Sequence, residues 1–139
     1  MLDVAILGCG RWGNNHLRTL ARLRDSGLIN KISVVDVSQS ARDSATQADF
    51  VFKSMDGVSA DLVIVATPSD LHAIQARELM AAGYHVLVEK PLWAPTEQQL
   101  IELQTLAQEN GATLYTAYNH RFEPNFVHAS EAIRSGRLG

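Results

Sequence analysis

Three glycines and one acid carry the first chemical signal. Gly8-Cys9-Gly10-Arg11-Trp12-Gly13 spells G-x-G-x-x-G directly after the apolar run Val4-Ala5-Ile6-Leu7. Where a strand ends and a helix begins, each glycine has its own task. Gly8 makes the tight turn, Gly10 lets backbone approach a diphosphate, and Gly13 lets the helix pack closely on the strand. A helix starting at Arg11 would turn its unpaired backbone N–H groups and the positive end of its dipole on the same diphosphate. Asp36 ends the β-branched run Ile32-Ser33-Val34-Val35 and lies 23 residues after Gly13, close to the spacing of about 20 expected for an acid that binds a ribose. An isolated aspartate at a strand end is more often a turn residue. Here glycines, helix, strand and acid come in the order that a dinucleotide requires. Asp36 would repel a 2′-phosphate and so favour NAD over NADP, while Arg42 is a nearby base that could offset it. Strand-turn-helix folds that bind S-adenosylmethionine share short glycine clusters and are the competing reading.

These residues need elements to hold them, and the periodicities supply an alternating set. Leu17, Leu20, Ala21 and Arg24 recur at helical spacing with Gly27 as a stop, and the strand Lys31 to Val37 follows. Ser38 to Ala48 reads as a helix and Phe50 to Phe52 as a short strand. The run Asp61 to Ala66 fits a central parallel strand buried on both faces. Thr67 as N-cap, Pro68 at the first helical position and Asp70 three residues after Thr67 predict a capped helix, with Leu71, Ile74 and Leu79 facing the sheet and Gly83 ending it. His85 to Glu89 is the next strand. Thr96 to Asn110 is a helix with Thr96 and Gln99 in capping-box positions and Gly111 as its stop. Ala112 to Ala117 is a sixth strand, and Phe126 to Ser135 a last helix. Strands separated by helices imply a doubly wound parallel α/β sheet of the Rossmann type, with ligands at the carboxyl ends of the strands.

Composition sets the outer bounds. The 139 residues, 46% hydrophobic and 19% charged, suit one domain with a real core. A net charge of −3 without a basic cluster gives no footing for nucleic acid or an anionic membrane. The apolar N-terminal run is too short for a membrane span, carries Asp3, and lacks the basic start of a signal peptide. The single cysteine excludes an internal disulfide and suits a reducing cytosol, so a cytoplasmic location is expected.

Two further stretches are specific: Ala66-Thr67-Pro68-Ser69-Asp70-Leu71-His72, and Ala82-Gly83-Tyr84-His85-Val86-Leu87-Val88-Glu89-Lys90-Pro91-Leu92. With the glycine loop, and with Tyr118-Asn119-His120-Arg121-Phe122-Glu123-Pro124 after the sixth strand, they resemble the Gfo/Idh/MocA oxidoreductases across essentially the whole chain. The resemblance implies that Gly8, Gly10, Arg11, Trp12 and Gly13 hold the diphosphate and Asp36 the adenosine ribose, with Cys9 also among the cofactor-binding residues. It implies that Ala66, Thr67, Pro68 and His72 line the cofactor cleft. Glu89 and Lys90 would lie beside the nicotinamide and its ribose, with Lys90 the catalytic residue that hydrogen-bonds a hydroxyl and adjusts proton affinity. Without the family pattern, Lys90 would read as a surface lysine paired with Glu89. The family turn also implies a cis Lys90-Pro91 bond.

The implied reaction is hydride transfer between NAD and a hydroxyl-bearing carbon of a sugar, cyclitol or nucleotide-sugar, with NADP less favoured. Residues 1–124 would form the NAD(P)-binding Rossmann domain. Residues 125–139 would form a helix leading into a second α/β domain, where the family carries its His base with an Asp nearby. With no counterpart to that pair, the chain is expected to bind cofactor but not to turn over alone, and to self-associate or capture a partner that supplies the missing domain. The alternative is a non-catalytic NAD-binding sensor or interaction module. Other reactive residues take plainer readings. Cys9 reads as a small loop residue rather than a nucleophile. His16, His85, His120 and His128 have no metal-ligand spacing, so no metal is expected. His120 and Arg121 read as surface more readily than cleft, and Trp12 and Trp93 as packed aromatics more readily than a cofactor platform.

Overall fold

The computed structural model describes residues 1–137; Leu138 and Gly139, the end of the expected lead into a second domain, lie outside the described residues. In chain order the elements are β1 (Leu2–Leu7), α1 (Arg11–Asp25), β2 (Ile29–Val35), α2 (Gln39–Ser44), β3 (Phe50–Phe52), β4 (Leu62–Val65), α3 (His72–Ala81), β5 (His85–Val88), α4 (Glu97–Glu109), β6 (Leu114–Thr116) and α5 (Pro124–Arg134). The six strands are all parallel and ordered β3-β2-β1-β4-β5-β6. Strand order reverses between β1 and β4, so loops leaving their carboxyl ends diverge and open a crevice there. The expected doubly wound Rossmann sheet is present.

Two apolar layers hold it. On one face Val4, Ile6, Ile32, Val34 and Ile64 pack against Leu17, Leu20 and Ala21 of α1. On the other, Ala5, Val63, Val65, Val86 and Val88 pack against Ala76, Leu79 and Met80 of α3 and Leu103 of α4. Consecutive residues of β1 and β4 thus enter opposite cores, which is why these strands read as unbroken apolar runs.

Several boundaries shift from the sequence reading. β2 runs two residues earlier than Lys31 to Val37, α2 stops at Ser44 rather than Ala48, and α5 starts at Pro124. The largest correction is at α3. Thr67 caps no helix: a 3-10 turn spans Ser69–Leu71, α3 starts at His72, and no side chain caps either. The Thr67 hydroxyl donates instead to the Gln75 side chain. The later start rotates the buried face onto His72, Ala76, Leu79 and Met80, leaving Leu71 and Ile74 exposed. A polar His72 in the first core position hid that phase from an apolar pattern. The Thr96 cap is present, its hydroxyl accepting the Gln99 N–H at 3.3 Å.

Asp49 pins the far end of the first β-α-β unit. Its Oδ2 accepts the Ile32 N–H at 2.8 Å and the Arg24 guanidinium at 2.9 Å. Burial alone would raise its pKa, but the Ile32 N–H, Arg24 and Lys31 outweigh burial and lower it. A lowered folded pKa stabilises above the unfolded value of about 4, and that stability is lost as pH falls through the folded pKa. Asp49→Asn is therefore expected to lower the urea midpoint at pH 7, the gap to wild type closing toward pH 3. A gap independent of pH would refute the electrostatic account.

Candidate active site

A concavity of about 680 Å³ lies at the carboxyl ends of β1, β2 and β4, within the range of roughly 300–1,000 Å³ typical of small-molecule sites. Of the expected site residues, Gly8, Gly10, Arg11, Trp12, Asp36, Ala66, Thr67 and Pro68 line it. Its floor is the glycine loop. Gly8 has φ +91°, and a Cβ there would stand 2.9 Å from Ala66 and Thr67. At Gly13 a Cβ would stand 2.0 Å from the Gly8 carbonyl oxygen, so the first turn of α1 presses directly on the loop. A Cβ at Gly10 would meet nothing within 4 Å. The space beside Gly10 is therefore open to a ligand. Gly10 is also the N-cap of the 15-residue α1 with no side-chain cap, so no side chain of the helix itself covers its N-terminal N–H groups. This cradle fits a diphosphate.

Asp36 stands at one side of the concavity, tied to the loop. Its Oδ2 accepts the Cys9 N–H at 2.7 Å and its Oδ1 the Ser38 N–H at 2.8 Å. Each carboxylate oxygen has a further lone pair, which is what a vicinal diol requires. Arg42 donates from Nη1 to the Asp36 backbone oxygen at 2.6 Å and from Nη2 to the Gln39 side chain. It is engaged with α2 and its preceding loop.

Cys9, expected among the cofactor-binding residues, belongs to the core. It is 1% exposed, packs with the α1 layer, and its N–H is taken by Asp36. Burial and then the Asp36 charge raise its thiol pKa, so the nucleophile is suppressed. Disulfide exchange with an aromatic disulfide reagent is expected to be negligible in the folded chain and complete in denaturant. Fast labelling of folded protein would show that the loop opens.

His72 also sits behind the cleft wall rather than lining it. It is 2% exposed, with Nε2 2.8 Å from the Thr67 oxygen and Nδ1 2.8 Å from the Pro91 oxygen. It ties the loop after β4 to the turn after β5, where Lys90-Pro91 is cis. Glu89 is likewise buried, at 6% exposed. Its carboxylate is not paired with the Lys90 ammonium: Oε1 lies 2.7 Å from His16 Nε2, and Oε2 accepts the Lys90 backbone N–H at 3.2 Å. The Lys90 ammonium stands 5.8 Å from the centre of the Trp12 ring. Trp12, half-exposed at the edge of the concavity, thus joins Lys90 to the glycine loop. His16 is the site residue missed in the sequence, because Glu89 lies 73 positions away.

His120 and Arg121 lie elsewhere, in a 3-10 turn spanning Asn119–Phe122, with His120 paired to Glu123 at 2.9 Å. They border a separate hollow beside α5. No group of three or more His, Cys, Asp or Glu among the described residues could hold a metal, and no described helix is long and apolar enough to cross a membrane.

Comparison with known proteins bears on this geometry. Inositol 2-dehydrogenase 2 of Saccharopolyspora erythraea is 26% identical over 99% of this chain and 42% of its own length. A 4-carboxy-2-hydroxymuconate-6-semialdehyde dehydrogenase of a Sphingobium is 30% identical over 99% of this chain and 44% of its own. The WlbA dehydrogenase of Chromobacterium violaceum, solved with NADH and UDP-GlcNAcA, superposes with a TM-score of 0.86 at 27% identity, covering 99% of this chain and 41% of that one. A scyllo-inositol dehydrogenase of Lactobacillus casei, solved with NAD(H) and scyllo-inositol, shares the fold with a TM-score of 0.86 at 22% identity, over all of this chain and 42% of that one. The chain thus spans about two fifths of the length of these relatives. Residues 2–118 match the family described as the oxidoreductase family, NAD-binding Rossmann fold, so the glycine loop, Asp36 and the Glu89-Lys90-Pro91 turn belong to a chain that is a member of the Gfo/Idh/MocA oxidoreductases.

Proposed function

We propose that this chain is the cofactor-binding half of a dehydrogenase that moves hydride between NAD and a hydroxyl-bearing carbon of a sugar, cyclitol or nucleotide-sugar. The observation that carries the reading is the concavity itself, bounded by an uncapped helix N-terminus, an open Gly10 and Asp36, with the Lys90 ammonium standing over Trp12 at its edge. Gly8, Gly10, Arg11 and Trp12 would hold the diphosphate, Asp36 the adenosine ribose, and Ala66, Thr67 and Pro68 the opposite wall. Bound there, the nicotinamide supplies a carbon that accepts or gives hydride.

This chain's own residues bind and orient. Lys90, ammonium outward, can donate hydrogen bonds to a hydroxyl and steady the negative charge that grows on its oxygen as the proton leaves. A base must still take that proton. Around Lys90, the Glu89 carboxylate is already held by His16 and by the Lys90 N–H, so it is not placed to act as that base. We therefore expect cofactor binding without substantial turnover by the chain alone. Exposed Phe122, Phe126 and Ile133 on and before α5 support a covering layer in the working enzyme, from further chain, a second copy or a partner.

Calorimetry with NADH, NADPH and S-adenosylmethionine in parallel tests the reading, followed by NADH formation across sugars, inositols and nucleotide-sugars. Binding of NADH ahead of NADPH is expected, with S-adenosylmethionine inert. Failure of both dinucleotides to bind would overturn the proposal. Tight NADH binding in a full-length enzyme that oxidises no polyol would favour the non-catalytic sensor.

A further inference from the structure

Trp12 and His16 stand one turn apart on α1 and meet consecutive residues at the end of β5. Trp12 takes the Lys90 ammonium over its ring at 5.8 Å, and His16 Nε2 lies 2.7 Å from Glu89 Oε1. Glu89 and Lys90 are joined by a peptide bond, and a hydrogen bond reinforces the link: Glu89 Oε2 accepts the backbone N–H of Lys90 at 3.2 Å. The Glu89 side chain is 8% exposed and that of His16 is 21% exposed. A carboxylate this deep is held in place by its donors, since an unpaired one would pay a large desolvation cost. Glu89 has two, and His16 is the one that comes from another element.

We propose that His16 is a positioning residue for Lys90. By holding Glu89 it sets the backbone from which the Lys90 side chain departs, and Trp12, on the same face of α1, sets where the ammonium comes to rest. The helix whose N-terminus faces the proposed diphosphate site thereby also places the group proposed to act at the other end of the cofactor. The inference rests on the functional reading for the importance of Lys90, but the geometry it asserts can be read separately.

The chain has only three lysines, Lys31, Lys53 and Lys90, which makes a direct readout practical. Reductive methylation with ¹³C-formaldehyde keeps their charge and labels each amine, and Lys→Arg variants assign the signals. In the wild-type chain the Lys90 methyl signal is expected to be displaced by the Trp12 ring current, and Trp12→Leu should abolish that displacement. The Lys31 ammonium, 5.8 Å from the Phe50 ring on the neighbouring strands β2 and β3, reports folding in the same spectrum. His16→Ala is expected to remove the Lys90 displacement while Lys31 keeps its own, and His16→Gln, which retains a donor for Glu89, should restore most of it. An unmoved Lys90 signal in folded His16→Ala would overturn the inference, as would equal loss in His16→Gln. Should His16→Ala unfold the chain, Glu89→Met decides: it keeps the length of the side chain and hydrogen-bonds neither His16 nor the Lys90 N–H, so an unmoved Lys90 signal there overturns the proposal equally. NADH titration of the same samples keeps the two readings apart, because absent NADH binding defeats the cofactor assignment and leaves the Lys90 result standing.

Discussion

Gly13→Ala is expected to be the most damaging single-methyl substitution in the chain, and Gly10→Ala, three residues earlier, nearly silent for folding. The Cβ at position 13 would lie 2.0 Å from the Gly8 carbonyl oxygen and 2.9 Å from its carbon. Neither atom belongs to a flexible side chain that can swing aside. Either α1 lifts from β1, opening the layer of Leu17, Leu20 and Ala21, or the loop moves and loses the Gly8 N–H bond to the Val35 oxygen at 2.8 Å. Overpacking of this kind costs about 1–3 kcal/mol where side chains can adjust, and rigid backbone places it at or above the top of that range. Against a total stability of about 5–15 kcal/mol, the variant should melt well below wild type and bind NADH poorly. At Gly10 a methyl meets nothing in the ligand-free chain, so Gly10→Ala should keep the wild-type melting temperature and lose affinity for NADH alone. Thermal melts and calorimetry on the pair separate the two roles. A wild-type melt for Gly13→Ala, or wild-type NADH affinity for Gly10→Ala, would remove the corresponding role.

What could be read in the sequence and what could not divide by the range of the interaction. The glycine loop, the buried strands β1 and β4 and the stop at Gly83 are local: residue type and period within a few positions suffice. The Thr96 cap is equally local. The Thr67 cap failed because its hydroxyl found Gln75, eight residues on, and no short-range rule weighs that competitor. His72 and His16 failed for the same reason at longer range. Their partners are the Pro91 oxygen and Glu89, brought close only after β4 and β5 pair beside β1. The family pattern placed His72 along the cofactor cleft and Glu89 beside the nicotinamide. Both are buried, at 2% and 6% exposed, and make their hydrogen bonds with neighbouring protein groups.

Asp36→Ala should weaken NADH binding by about 10- to 100-fold and narrow the preference over NADPH without reversing it. The ribose term follows from two lone pairs left free on a carboxylate whose other two accept the Cys9 and Ser38 N–H groups. Hydrogen bonds to a charged acceptor are worth about 1.5–3 kcal/mol each, and 1.4 kcal/mol is tenfold in affinity, so even one of the two ribose bonds gives the lower bound. The same substitution strips an acceptor from the loop that carries Gly8 and Gly10, which lowers affinity for any dinucleotide. NADPH gains from removal of a like charge near its 2′-phosphate but loses through the loosened loop. Arg42 keeps its charge, but the Asp36 carbonyl and Gln39 orient its guanidinium toward α2, and we expect that orientation to leave it a weak partner for a 2′-phosphate. A switch to NADPH should therefore need a second change that adds a cation at the cleft, not Asp36→Ala alone. Dissociation constants for both dinucleotides, measured on wild type, Asp36→Ala and Asp36→Ala with Val37→Arg, decide it. If Asp36→Ala alone prefers NADPH, a cation already in the chain, Arg42 first, serves the 2′-phosphate, and if its NADH affinity equals wild type, the carboxylate does not hold the ribose.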